Sequence, residues 1–405
     1  MNAQRGVVSA LWFLFLVNYL DRVALSFAGP SIMKSLHMTP TDFGVVLGSF
    51  GIGYLLAQLP GGLLADRIGA RAMLVISPLL WAVFTGLTGL ATTIAVFVAV
   101  RICFGFSEGL SNTSAYKVVG EHFAPKGRAR AVALNNTAIP LAPLFAGILV
   151  GKLVGAYGWQ MMFFLMTIPA VLAALVTFSL IPGKPTYVAK PGELPAGENA
   201  TLGQLFAMPS LRILCLACFA WNIPYWGFLG WMPSYLALAR HIDLKSVGML
   251  AAVPYLFAFL GMVIVGWLGS TVLHRRCSEL IAICFLGGAG GLYFAFQAET
   301  LTYCLVGLSI TAFFLFATLG PVGKTALDLA PERRRAAFVG IYNSVGQVGS
   351  IVAPPIIGFL VTKTGTFATG IGFMIGASIV AALCFIALAK YTRQATAPIA
   401  APLVA

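Results

Sequence analysis

Charge is what this sequence has least of. Its 12 acidic and 25 basic residues make up 9% of 405, where a soluble globular domain carries about 25%. With 59% hydrophobic residues, too little polar surface remains to cover a water-soluble fold. Histidine is nearly as scarce: His37, His122, His241 and His274 are the only four, all expected in loops or at helix ends. There is no HExxH, no phosphate loop and no serine-nucleophile motif, which argues against an enzyme. The alternating ten-residue segments of an outer-membrane barrel are absent too. The seven cysteines fall mostly in apolar runs. Cys215 and Cys218 form a CxxC, but inside an apolar segment without partner ligands, so they read as small hydrophobes and no metal or cofactor is expected. No cleavable leader is evident, because the first apolar run continues past Asp21 and Arg22 without a small-residue cleavage site.

What is present is a series of apolar runs of helix length. In a bilayer only a helix or a closed barrel satisfies its own backbone, so runs of roughly 20 residues read as spanning helices. Twelve are expected, near 8–30, 42–64, 72–92, 94–119, 129–151, 159–181, 209–236, 246–269, 278–297, 301–328, 337–361 and 367–390. A polar segment rich in Pro, Gly and Lys interrupts them. The expected organisation is a six-helix bundle over 1–181, a cytoplasmic linker over 182–208 and a second six-helix bundle over 209–405. No other extramembrane segment is large enough for a sensor or receptor domain.

The formal charge of +13 does not point to nucleic acid, because the basic residues sit in short loops between apolar runs. One side collects Arg5, Arg67, Arg71, Lys126, Arg128, Arg130, Lys184, Lys190, Arg212, Arg275, Arg276, Arg333, Arg334, Arg335, Lys390 and Arg393. The other collects Lys34, Lys152, Arg240, Lys245 and Lys363. By the positive-inside rule the richer side is cytoplasmic, and it carries both termini and the linker.

The halves repeat each other. Gly62 and Arg71 match Gly266 and Arg275; Ala124-Pro125, Arg128 and Ala131 match Ala330-Pro331, Arg334 and Ala337. The offsets are close to half the chain length. Parallel repeats of this kind, facing a midplane site, are a transporter architecture.

Between the second and third runs stands Gly62-Leu-Leu-Ala-Asp66-Arg67-Ile-Gly69-Ala-Arg71. This resembles the loop signature of the major facilitator superfamily, G-x-x-x-D-R-x-G-x-R. The resemblance implies an all-α membrane fold with two pseudo-symmetric six-helix bundles. Gly62, Asp66, Arg67 and Arg71 would form a cytoplasmic gate, with Gly62 allowing close helix approach and Asp66 meeting a neighbouring helix N-terminus. The second-half copy has Ser270 where the aspartate would be, so the gate should rest on the first. Asn18-Tyr19-Leu20-Asp21-Arg22, Tyr54-x-x-x-Gln58-x-Pro60-Gly61-Gly62, Arg101, Gly105-x-x-Glu108-Gly109, Asn343, Pro354 and Gly358 are similar to the anion:cation symporter branch. That branch includes galactonate, glucarate, phthalate and sialic-acid carriers. The drug-antiporter run of the fifth helix is missing; Asn135-Asn136-Thr-Ala-Ile-Pro140-Leu-Ala-Pro143 stands there.

Ionisable groups at membrane depth cost about 2.5–3.5 kcal/mol each on insertion scales, and they mark function. Asp21, Arg22, Arg101, Glu108, Lys117 and Lys324 fall inside expected helices. Arg101 and Glu108 are two turns apart on one face, and Asn112 continues that face. By resemblance, Asp21 and Glu108 occupy acidic positions of proton coupling, and Arg22, Arg101, Tyr19 and Tyr54 lie at or near the anion site. A permanent Arg101–Glu108 pair that merely ties helices together is the structural alternative. The second half has no matching acids; Trp221, Asn222, Tyr225 and Asn343 are expected to supply walls and hydrogen bonds. Lys324 is either a further cation for substrate or the i,i+4 partner of Asp328.

The expected function is proton-coupled uptake of a small organic anion, a sugar acid or other carboxylate, by alternating access. The setting would be the inner membrane of a bacterium, with a single chain sufficient and protons as the coupling ion. A proton-driven exporter of drugs or metabolites is the alternative.

Overall fold

The structure, a computed structural model, describes residues 3–187, 202–331 and 334–396. Among the described residues there are helices and connecting turns and no strand. The first half runs α1 (Ala3–Ser35), α2 (Pro40–Ile68), α3 (Ala70–Thr88), α4 (Ile94–His122), α5 (Pro125–Asn136) and α6 (Ala138–Leu180). A short α7 (Leu202–Phe206) follows. The second half runs α8 (Pro209–Leu238), α9 (Leu244–Ser270), α10 (Cys277–Gln297), α11 (Leu301–Ala317), α12 (Leu319–Leu329), α13 (Arg335–Thr364) and α14 (Ala368–Thr396).

These elements make twelve spans. α5 and the first part of α6 form the fifth, and Gly158, at φ +82°, turns the chain into the sixth. Only a glycine takes that backbone conformation without strain. The tenth span is α11 continued by α12, broken at Thr318. Six spans form each bundle, and the start of α1 and the end of α14 lie at one end, here called the terminal end. Within the described part of the expected linker, Thr186 and Tyr187 donate backbone N–H groups to the Glu121 carbonyl, and α7 lies within it. Lys190 and Arg333 lie outside the described residues, as do the side chains of Lys245 and Arg335.

The bundles meet at the end opposite the termini. There Thr41 of α2 bonds Thr362 of α13 through both its backbone N–H and its hydroxyl, at 3.0 and 2.9 Å. Gly44 and Gly48 of α2 lie against the backbone of Pro354 and Ile351 in α13, and Gly147 of α6 against Gly248 of α9. Phe43 meets Trp231 edge-on at 5.7 Å. Small residues permit such approach where no hydrophobic force draws helices together in lipid. Towards the terminal end the bundles part. Tyr116 of α4 faces Tyr19 and Tyr54 of its own half and Tyr342 of the other, yet it is 56% exposed. A vestibule therefore opens between the bundles at the terminal end and is sealed at the other.

Candidate functional site

The close packing of α2 on α4 sets the site. Gly105 of α4 lies on the Phe50 carbonyl of α2, and a Cβ on Gly109 would sit 2.8 Å from the Tyr54 carbonyl. That register places Glu108, between the two glycines, at the level of α1. Glu108 accepts from Arg22 twice through one oxygen, from Nε at 2.9 Å and from a terminal nitrogen at 2.6 Å. The same terminal nitrogen reaches Asn18 Oδ1 at 3.2 Å. The side chains of this pair are 5% and 0% exposed. Buried pairs are stable only when geometry and further hydrogen bonds offset desolvation, and here Asn18 supplies one such bond.

The arginine sits in an aromatic cage. Its guanidinium carbon lies 4.5 Å from the Tyr19 ring centroid, 4.6 Å from Phe50, 5.0 Å from Tyr54 and 5.6 Å from Trp226. Desolvated cation–π contacts of this kind are worth about 2 kcal/mol. Arg101 also lies over Phe50, at 5.4 Å, with Phe104 at 4.6 Å. It is 3% exposed, makes no ion pair among the described residues, and its Nε has no partner. Glu108 Oε1 and both oxygens of Asp21 are likewise buried without partners. The Arg101–Glu108 pair offered as a structural alternative is thus corrected: Glu108 bonds Arg22, from another helix. Arg22 and Arg101 line a cavity of about 20 Å³ with Ser26, Phe50, Trp226 and Ser350, room for about one water. Asp21 is not on that wall; it lies 2% exposed within the first half.

The second half contributes α8 and α13. Asn222 makes two bonds within its own helix: it donates to the Cys218 carbonyl at 2.8 Å and accepts from Trp226 Nε1 at 3.0 Å. It holds the Trp226 indole over Arg22 and keeps a second amide N–H and a second Oδ1 lone pair for a ligand. Tyr225 packs on Trp221, Trp226 and Phe316, and its hydroxyl and the Trp221 N–H are buried without partners. Asn343 is exposed and shares with Gln347, Ser350 and Pro354 the face of α13 turned to α2. Asn112, half buried, continues the Glu108 face of α4. Sequence reasoning missed Phe50, Trp226, Tyr116 and Tyr342. An aromatic residue in an apolar run carries no mark that separates a cage wall from packing.

Two other expected groups are placed differently. Lys324 is not brought to this cluster: its ammonium bonds Asp328 at 2.5 Å, i,i+4, and the His274 carbonyl at 3.3 Å. In the last turns of α2, nothing lies within 4 Å of a Cβ built on Gly62, which corrects its role in close helix approach. Gly61 has that role: a Cβ built on it would sit 3.1 Å from the Leu110 backbone. Asp66 pairs with Lys117 of α4 at 2.7 Å, and Lys117 also bonds the Ala65 carbonyl at 2.8 Å; a helix N-terminus is not its partner. Arg67 is exposed, whereas Arg71 bonds the Phe178 carbonyl at 2.6 Å. Gly69 has φ +93° and turns α2 into α3.

The sequence model of the Major Facilitator Superfamily matches residues 11–354. The chain belongs to the major facilitator superfamily. It is a multi-pass membrane transporter, not an enzyme. Among curated relatives, the hexuronate transporter of Bacillus subtilis is 28% identical over 92% of each chain. A probable L-galactonate transporter of Escherichia coli is 29% identical over 90% of this chain and 84% of its own length. A probable galactarate/D-glucarate transporter of Bacillus subtilis is 28% identical over 93% and 90%. These relatives match the anion:cation symporter branch that the sequence resembles. Among solved structures, an inward-facing, unoccupied bacterial homologue of the human lysosomal transporter Spinster superposes with TM-score 0.78 at 18% identity. It covers 97% of this chain and 98% of that one, and establishes the fold.

Proposed function

We propose that this superfamily member is a proton-coupled symporter that imports a sugar acid across a bacterial inner membrane. The observation that carries the reading is the buried Arg22–Glu108 pair beside Arg101, a guanidinium that pairs with no carboxylate among the described residues. A second buried acid, Asp21, completes the set. Relatives named for hexuronate, galactonate and glucarate support a carboxylate with several hydroxyls as the cargo.

The coupling follows from partner exchange. While Glu108 is ionised it occupies both donors of Arg22. Protonation removes that claim, and Arg22 and Arg101 then face an incoming carboxylate together. Anion and proton therefore load together, and the loaded site is close to neutral. Neutrality removes most of the charge penalty on carrying the site through an occluded state of low dielectric. Tyr19, Tyr54, Asn112 and Asn343 surround the vestibule side and bond hydroxyl or carboxylate oxygens, with Trp221 and Tyr225 from the other half. Lys324 stays with Asp328, outside the anion site. Asp66, Arg67 and Arg71 with Lys117 brace the terminal end as a gate. That end faces the cytoplasm, in keeping with the excess of basic residues there, and one chain suffices.

The test is uptake into proteoliposomes under an imposed inward proton gradient, with a hexuronate, an aldonate and an aldarate as substrates. Gradient-driven accumulation of one of them is expected, and Glu108→Gln should abolish accumulation while preserving binding. Accumulation by Glu108→Gln equal to that of the parent would remove this residue from coupling. Efflux only, whatever the gradient, would favour an exporter.

A further inference from the structure

The first half buries a polar group that partner exchange at Arg22 does not use. Trp81 of α3 is 0% exposed, and its indole N–H has no hydrogen-bond partner. Thr85, one turn on, is 3% exposed with its hydroxyl also unpartnered. Residues 77, 81 and 85 lie on one face of α3. Ser77 at the start of that face donates to the Ser107 carbonyl of α4, which pins α3 at the level of the site. The N–H of Trp81 faces Asp21, outside hydrogen-bond geometry, so that donor and carboxyl both stand unsatisfied. A phenylalanine, smaller by the pyrrole ring, would bury an aromatic ring here without leaving an N–H unpaired. Packing accounts for a large ring at this position but not for its buried, unpartnered donor.

We propose that Trp81, assisted by Thr85, is the hydrogen-bond partner that Asp21 acquires when it ionises, and so a positioning residue for proton exchange. The inference rests on Asp21 being a coupling acid. A small shift of one side chain closes the bond, and the partner sits in the same bundle as Asp21, so rocking of the bundles does not remove it. The charged and titratable groups facing Asp21 are few. From α4 they are Arg101 and Glu108, and from α1 itself Arg22 follows in sequence. α6, which packs along α1, carries one charged residue, Lys152, and it is exposed. With Arg22 committed to Glu108, Trp81 supplies the uncharged donor beside Asp21, and Thr85 stands one turn further along the same face of α3.

The experiment measures the pH profile of proton-driven uptake for the full chain in proteoliposomes. Trp81→Phe keeps an aromatic side chain, though a smaller one, and removes the donor, so the ionised form of Asp21 loses its bond. The pH midpoint should move upward, by about one unit, the size expected for a hydrogen bond to a charged group. Thr85→Val should move it the same way by less, and it serves if Trp81→Phe does not fold. The discriminating arm is substrate exchange, which needs no net proton movement, in an Asp21→Asn background. There Trp81→Phe should leave the pH profile unchanged. An unshifted profile for both single variants, or a shift that persists without Asp21, overturns the inference. If the parent itself shows no proton-driven uptake, the functional reading fails first, and the two failures are distinguished.

Discussion

At the residue scale, the identity of the cation at position 22 is more restrictive than its charge. Arg22 uses Nε and a terminal nitrogen together on one Glu108 oxygen, reaches Asn18 with the same terminal nitrogen, and lies over the rings of Tyr19 and Phe50. A lysine keeps the charge but is a point cation without the planar fork or its stacking. Arg22→Lys should therefore bind and transport worse, by roughly tenfold to a hundredfold in kcat/KM, the loss of about 1.5–3 kcal/mol. Uptake kinetics at fixed gradient check this, and a variant within twofold of the parent would show that charge alone is read. This pairing was not legible in the sequence. Spacing within one helix suggests Arg101 as the partner of Glu108, because seven residues return to the same face. The actual partner is 86 residues away, on a helix whose rotation about its axis no local pattern records.

At the element scale, the spans themselves were legible. The run expected at 209–236 is Pro209–Leu238, and that expected at 301–328 is α11 with α12, Leu301 to Leu329. Hydropathy encodes burial in lipid directly, so length and position follow from it. Which glycine carries a contact does not, since adjacent residues point 100° apart and a signature does not say which one faces a neighbour. Gly61 and Gly62 make that distinction testable. Gly62→Ala should leave expression and thermal stability unchanged within about 0.5 kcal/mol, as a substitution in open space does. Gly61→Val should lower both, because the Leu110 backbone and the Thr113 hydroxyl stand 3.1 and 3.0 Å from the added carbon. Thermal unfolding of the two purified variants in detergent separates them, and equal melting temperatures would show that Gly61 does not carry the contact.

At the scale of the whole molecule, the contacts between bundles are unequal at the two ends, and that asymmetry decides which state is described. Gly44 and Gly48 meet the backbone of α13 so closely that an added Cβ would sit 2.5 Å from the carbonyls of Pro354 and Ile351. Real Cβ atoms do not approach backbone oxygens that closely, so an alanine there forces the helices apart. Packed interfaces are bistable more than deformable, so the cost is met by a shift of population to the alternative arrangement. Gly48→Ala should thus favour opening at the end away from the termini and closure of the vestibule around Tyr116. Spin labels at the exposed residues His37 and Lys363 report on the first end, and at Lys126 and Asp328 on the second. In the parent the first pair should be the more narrowly distributed. In Gly48→Ala the first distance should lengthen as the second shortens, by several ångströms and in the same fraction of molecules. That reciprocity distinguishes rocking of two rigid bundles from local loosening, in which the first distance would broaden and the second stay where it is.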